Sequence, residues 1–233
     1  LVYDGAGSDA TSVELTSLDS GSLYTYVLSS LSAAGESDKS DAMSASTAPG
    51  VATGLTSTVQ TTGSIALAWT APTIPSGAAV TGYKVYARVV HSQSSVSHVF
   101  AEAGVGADVV EHFLDPEDQS MLTDTLVYDG RNDVTTATDP STELNDLEGG
   151  SLYTYLVGAL SEAGESDRSA SLDVSTAAPA PTGLMSVSQT TTGMELSWTA
   201  PEISSGEAVT GYKVYRDDGA GGAVDVVAYD SRE

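Results

Sequence analysis

The chain is 233 residues long, carries 8 Lys and Arg against 32 Asp and Glu for a net charge of −24, and contains no cysteine. No disulfide can staple its fold, and thiolate zinc sites and thiolate catalysis are excluded. The shortage of cations argues against nucleic acid or an anionic membrane surface as partner, and no apolar run approaches the roughly 18 residues of a membrane-spanning helix, so membrane insertion is not expected.

Apolar residues make up 40% of the chain, with 11 Tyr but only 2 Phe. That content, arranged in regular alternation, argues for folded β structure over disorder. The charge reads first as solubility and self-repulsion. A second reading is life in salty or calcium-rich surroundings, where an anionic surface stays hydrated.

In chain order, short runs of period two alternate with turn signals. Gly21-Ser22-Leu23-Tyr24-Thr25-Tyr26 leads to the turn Ala34-Gly35-Glu36-Ser37-Asp38. After Thr53-Gly54-Leu55, the residues Ile65, Leu67 and Trp69 alternate with Ala66, Ala68 and Thr70. Pro75-Ser76-Gly77 then precedes Val80-Thr81-Gly82-Tyr83-Lys84-Val85-Tyr86. Each block returns 129 positions later: Gly150 to Tyr155, Ala163 to Asp167, Thr182-Gly183-Leu184, Trp198-Thr199-Ala200-Pro201 and Val209 to Tyr215. Several long matches in one register define a tandem repeat. A period of two with one apolar face predicts strands in sheets covered on one side only. Short strands with such punctuation predict an all-β antiparallel sandwich.

The order Pro-x-x-Leu, Trp, Gly-Tyr-x-Val-Tyr, Leu followed six residues later by Tyr, and Ala-Gly-Glu-Ser resembles the fibronectin type III domain. The resemblance implies immunoglobulin-like antiparallel β-sandwiches in tandem. It assigns Trp69 and Trp198 to the space between the sheets, with Tyr83 and Tyr212 in the same cores. It also implies a tyrosine corner at Leu18 with Tyr24 and at Leu147 with Tyr153, the phenol tying down the loop backbone. The proline usual two residues after that leucine is replaced by Ser20 and Gly149. These motifs speak to fold and are nearly silent on function.

The resemblance divides the chain unevenly. Residues 50–178 are expected to form a complete domain, residues 1–49 the last strands of a preceding one, and residues 179–233 the first strands of a following one. Two readings follow: an excerpt from a longer array, or copies in which the head of one completes the tail of the next. An insertion over about 88–125 holds His91, His98 and His112 and both phenylalanines. A strand is expected over Ser95 to Phe100 and a helical turn over Asp108 to Leu114. Phe100, His112, Phe113 and Leu114 are the candidate contact residues, since long connections in compact domains are often functional.

Catalytic signals are absent from the pattern. No Gly-x-Ser-x-Gly elbow occurs, and the histidines match no metal-ligand spacing. Asp115-Pro116-Glu117-Asp118 is acidic enough to invite calcium but lacks the alternating pattern of a calcium loop. No cofactor is expected beyond that weak calcium possibility, and no enzymatic activity. The expected function is a structural or adhesive segment of an extracellular or cell-surface filament, sheath or stalk. Its expected partners are other copies or adjacent repeats, head to tail, with other extracellular proteins or glycans second. The alternative is a spacer or binding module of a secreted multidomain enzyme such as a polysaccharide hydrolase.

Overall fold

In the computed structural model of the chain, residues 3–5, 7–90, 122–131, 133, 137 and 139–231 are described. Most of the 88–125 insertion lies outside them, including its three histidines, Phe100, Phe113, Leu114, the acidic run, and the expected strand and helical turn. The chain divides into two compact units. One comprises Leu1–Val59, Ala66–Leu144 and Tyr153–Val174; the other comprises Gln60–Ile65, Asn145–Leu152 and Ser175–Glu233.

The first unit opens with β1 (Leu23–Tyr26), β2 (Leu31–Ser32), β3 (Gly35–Glu36) and β4 (Met43–Ser46), which form the antiparallel pairs β1–β4 and β2–β3. Next come β5 (Thr53–Gln60), β6 (Ile65–Thr70), β7 (Val80–Val90), β8 (Leu122–Asp129), β9 (Ser141–Leu144), β10 (Leu152–Ser161), β11 (Gly164–Glu165) and β12 (Leu172–Ser175). They make two sheets, β5-β6-β9 and β11-β10-β7-β8, with β12 added on β10. Just before β9, the chain is held to β6 by Trp69 N donating to Pro140 O at 2.9 Å.

The inward face follows from alternation. Every second residue of a strand points to the same side, so β6 sends Ile65, Leu67 and Trp69 inward, each less than a tenth exposed, while Ala66, Ala68 and Thr70 face the other way. From the opposite sheet β7 contributes Tyr83 and Val85, and β10 contributes Tyr155, Val157 and Ala159, all buried. The Trp69 indole meets the Tyr83 ring edge-on, with centroids 5.2 Å apart and planes at 69°. Such edge-to-face pairs add about 0.5–1.5 kcal/mol beyond their area.

One expectation is corrected here. The sheet built around β10 is covered on both faces, because the outward-facing Leu156 and Leu160 are buried along with their inward neighbours. Tyr86 on β7 lies opposite Leu156 and Glu165 on β11 lies opposite Leu160, neighbours that alternation within one strand cannot reveal.

The second unit carries β13 (Thr182–Gln189), β14 (Met194–Thr199), β15 (Lys213–Arg216) and β16 (Val226–Asp230), paired as two hairpins. They copy the first unit closely. Lys213, Val214 and Tyr215 lie opposite Asp230, Tyr229 and Val227, just as Lys84, Val85 and Tyr86 lie opposite Asp129, Tyr128 and Leu126. Both pairs have a bulge after the valine. The Trp198 and Tyr212 rings also repeat the edge contact, at 5.3 Å and 61°. The same strand is far more open here: Met194 is 65% exposed where Ile65 is 0%. Among the described strands, β13 and β14 pair only with each other.

Burial in this core leaves some polar atoms unmatched. Trp69 Nε1, Tyr83 OH and Tyr155 OH make no hydrogen bond of ordinary geometry, and burial pushes the Tyr155 phenol well above its usual pKa. A buried hydroxyl without a partner carries its full desolvation penalty. Tyr155→Phe is therefore expected to leave urea stability unchanged or raise it by about 1 kcal/mol. Leu67→Ala, which opens a cavity at a fully buried site, should cost about 2–5 kcal/mol in the same urea titration.

Candidate functional site

The outer face of β7, β8 and β10 holds the densest set of charges among the described residues. It begins with a glycine. A side chain at Gly158 on β10 would bring a Cβ within 2.8 Å of Glu165 Oε1, so the absence of one gives the carboxylate room to lie over the strand. There Glu165 accepts a hydrogen bond from Lys84 Nζ at 2.7 Å and another from the Tyr86 hydroxyl. Lys84 lies directly opposite Gly158 in the β7–β10 ladder, and Tyr86 lies opposite Leu156. The cluster therefore lies beside the outward Leu156 of β10.

Arg168 extends it. Its guanidinium carbon lies 3.6 Å from the centre of the Tyr86 ring, a cation–π contact. It also donates to Asp124 Oδ2 on β8. Asp124 takes a second cation, Arg88 Nε at 2.8 Å, from the adjacent position on β7. Two carboxylates and three cations thus form two linked groups around one phenol. The position equivalent to Gly158, 129 residues earlier, is Ser29, and its Oγ donates to Glu36, the counterpart of Glu165. The acidic position keeps its role as an acceptor while its donor changes.

The electrostatics follow from these contacts. Hydrogen bonds from Arg88 hold the Asp124 carboxyl below its ordinary value, against the opposing effect of burial and with Arg168 assisting. At Glu165, burial works against ionisation, but the hydrogen bonds from Lys84 and Tyr86 outweigh it and the pKa is lowered. The Glu165 hydrogen bond raises the pKa of Lys84. Every one of these groups is fixed in its charged state near neutral pH and satisfied by its neighbours. A depression lined by Thr81, Lys84, Arg131, Ser161, Glu162 and Glu165, among others, lies beside them; its Lys84 and Glu165 are paired with each other.

The residues singled out by sequence fall elsewhere. Trp69 with Tyr83, and Trp198 with Tyr212, meet in the cores. Asp19 N donates to Tyr24 OH at 2.9 Å, the contact of a tyrosine corner, while Leu18 is 37% exposed. Tyr153 stacks on Tyr155 at 5.9 Å, and Leu147 N donates to Gly63 O at 3.0 Å. Just before each corner leucine, Ser17 and Asp146 adopt left-handed φ of 61° and 59°, a conformation that non-glycine residues seldom take. Asp217 and Asp218 spend their carboxylates on Gly219, Ala220 and Gly221 backbone N–H groups. Among the described residues, no group of three or more His, Asp or Glu is arranged to hold a metal.

Sequence reasoning passed over Glu165, Arg168, Asp124 and Arg88. The usable signal was scarcity: in a chain with 8 cations, a lysine sits inside each copy of Gly-Tyr-Lys-Val-Tyr, at Lys84 and Lys213. Lys213 pairs with Asp230 at 2.8 Å, so each copy uses its lysine in an ion pair.

Two sheets joined by a Trp–Tyr contact, with internally neutralised charges outside, define a modular β-sandwich repeated along one chain. The family model for the fibronectin type III domain matches residues 48–175, and the chain belongs to that family. An alignment 99 positions long, covering 38% of this chain and 14% of the length of chitinase A1 of Niallia circulans, is 39% identical. Among solved structures, a two-domain fibronectin type III segment of chicken tenascin is 21% identical, covering 72% of this chain and 73% of that one with a TM-score of 0.38. Domains A168–A170 of titin are 17% identical, covering 59% and 36%, with a TM-score of 0.36.

The charged face has a defined acid dependence. Because Asp124 and Glu165 are held low in the fold, the unfolded chain binds protons first as acid is added. Their contribution to stability is complete above about pH 5 and is lost as the pH falls through the carboxylate range. Urea midpoints at pH 6 and pH 3 should therefore converge in the double variant Asp124→Asn, Glu165→Gln relative to the unmodified chain. An equal acid loss in both proteins would contradict this assignment.

Proposed function

We propose that this chain is a non-catalytic structural segment of an extracellular filament, sheath or stalk, in which fibronectin type III modules follow one another end to end. The observation that carries the reading is repetition, with no metal-holding cluster among the described residues. Strand blocks recur 129 residues apart with the same ladder, the same bulge and the same Trp–Tyr contact. The charged groups of the outer face neutralise one another. In this reading residues 1–49 and 179–233 belong to the modules before and after the central one. Adjacent repeats are the partners, and the anionic surface keeps neighbouring strands of the array apart in solution.

A second reading has its own support. The similarity to chitinase A1 favours a spacer module within a secreted polysaccharide-cleaving enzyme, where the sandwich sets the distance between other domains. Both readings are extracellular and both leave catalysis outside these residues.

Electron micrographs of the native protein from its source, paired with a chitin-hydrolysis assay, separate the two. The structural reading predicts beaded strands of many similar modules and no hydrolysis. Compact particles that release sugar from chitin would replace it with the enzyme-spacer reading.

A further inference from the structure

The joints between successive modules repeat as faithfully as the cores do. In the first, Gly21 stands at left-handed φ of 60° just after the tyrosine-corner segment; in the second, Gly150 has φ of 68° at the equivalent place. The N–H of each donates back to the end of its own module, Gly21 to Ala48 O at 2.7 Å and Gly150 to Ala177 O at 2.9 Å. The carbonyl of each turns forward and accepts from a loop of the following module. Gly77 N and Ser76 N reach Gly21 O at 2.8 and 3.4 Å; Gly206 N and Ser205 N reach Gly150 O at 2.9 and 3.3 Å. The loop serine then answers in the other direction. Leu23 N donates to Ser76 Oγ, and Leu152 N to Ser205 Oγ, each at 3.0 Å.

Close approach makes the loop glycine necessary. A Cβ on Gly77 would lie 2.6 Å from Gly21 C, and one on Gly206 would lie 2.8 Å from Gly150 C. Both obstacles are backbone, which cannot swing aside as a side-chain tip can. An isoleucine flanks each contact, with Ile74 Cδ1 and Ile203 Cδ1 packed over the corner glycine.

The linker peptides place their prolines differently while these contacts stay the same. The first has Pro49, where the second has Ala178; the second has Pro179 and Pro181, where the first has Gly50 and Ala52. A proline at one fixed linker position is therefore not what the two joints share. Charge repulsion is also an unsuitable cause, since the contacts shared by the two joints involve only backbone and hydroxyl groups.

We propose that the Ile-x-Ser-Gly loop, at Ile74–Gly77 and Ile203–Gly206, is an interlocking surface whose partner is the Gly-Ser-Leu corner of the module before it, at Gly21–Leu23 and Gly150–Leu152. The lock fixes the angle between neighbours independently of linker composition and of salt. It is a property of the chain whether the array forms a stalk or spaces an enzyme's domains.

The cysteine-free sequence makes the test clean. Cysteines are introduced at Thr62 and Thr191, equivalent exposed turn positions one repeat apart, and spin-labelled for distance measurement by electron–electron double resonance. The full chain should give one narrow distance distribution. It should stay narrow in about 1 M salt, where the Debye length is only about 3 Å, and in Pro179→Gly. Gly206→Val, and to a lesser degree Gly206→Ala and Ser205→Ala, should broaden it several-fold while far-ultraviolet circular dichroism stays unchanged. The two milder variants decide the matter if the valine disrupts folding. A broad distribution in the unmodified chain, broadening by salt or by Pro179→Gly, or unchanged width in all three loop variants would overturn the lock.

Discussion

An indole set edge-on against a phenol between two sheets is the contact on which this structure depends. Without cysteine, nothing covalent holds the sheets of the sandwich together, so the inward faces must do so by packing. Trp69 on β6 and Tyr83 on β7 span the gap, and Trp198 with Tyr212 repeat the arrangement with nearly the same separation and tilt. Leu67, Val85 and Val157 fill the space around the first pair to complete burial. Trp69 Nε1 and Tyr83 OH make no hydrogen bond of ordinary geometry, so the edge-on ring contact and the buried area are what this position supplies.

The outer face solves a different problem. A chain with four acidic residues for each basic one would ordinarily scatter its few cations over the surface as solvated charges. Here Lys84, Arg88 and Arg168 converge on one sheet face, where they neutralise Asp124 and Glu165 beside the buried Leu156 and Leu160. Exposed ion pairs singly contribute little. A partly buried cluster anchored by a cation–π contact and by a glycine that makes room for a carboxylate is better placed to matter. The excess negative charge is left on the remaining surface, consistent with modules that must stay apart from their neighbours' sides while being joined at their ends.

Much of the fold could be read from sequence because its signals are local. The alternation of Ile65, Leu67 and Trp69 fixes which face of β6 turns inward, and the 129-residue repeat places β14 and β15 once β6 and β7 are assigned. The charged cluster could not be read this way. Glu165 reaches Lys84 across 81 residues and Arg168 reaches Asp124 across 44, and neither pairing leaves a periodic trace. Reading Ala163-Gly164-Glu165-Ser166 as a plain turn was correct for the backbone and blind to the glutamate. The one-sided sheet failed for the same reason, since what covers Leu156 comes from other strands. The joints lay between these extremes: Pro75-Ser76-Gly77 is visible as a turn, but only the geometry shows its glycine pressed against Gly21.

The central claim is that this chain carries load or spacing through serially repeated, independently cored sandwiches. Single-molecule force extension of the native protein addresses it most directly. Modules of about 90–130 residues, extended at about 3.5 Å each, predict a sawtooth whose successive rupture peaks are separated by roughly 30–45 nm of contour length. Each peak would mark one Trp–Tyr core giving way. A single rupture, or a smooth extension without regularly spaced peaks, would contradict the account.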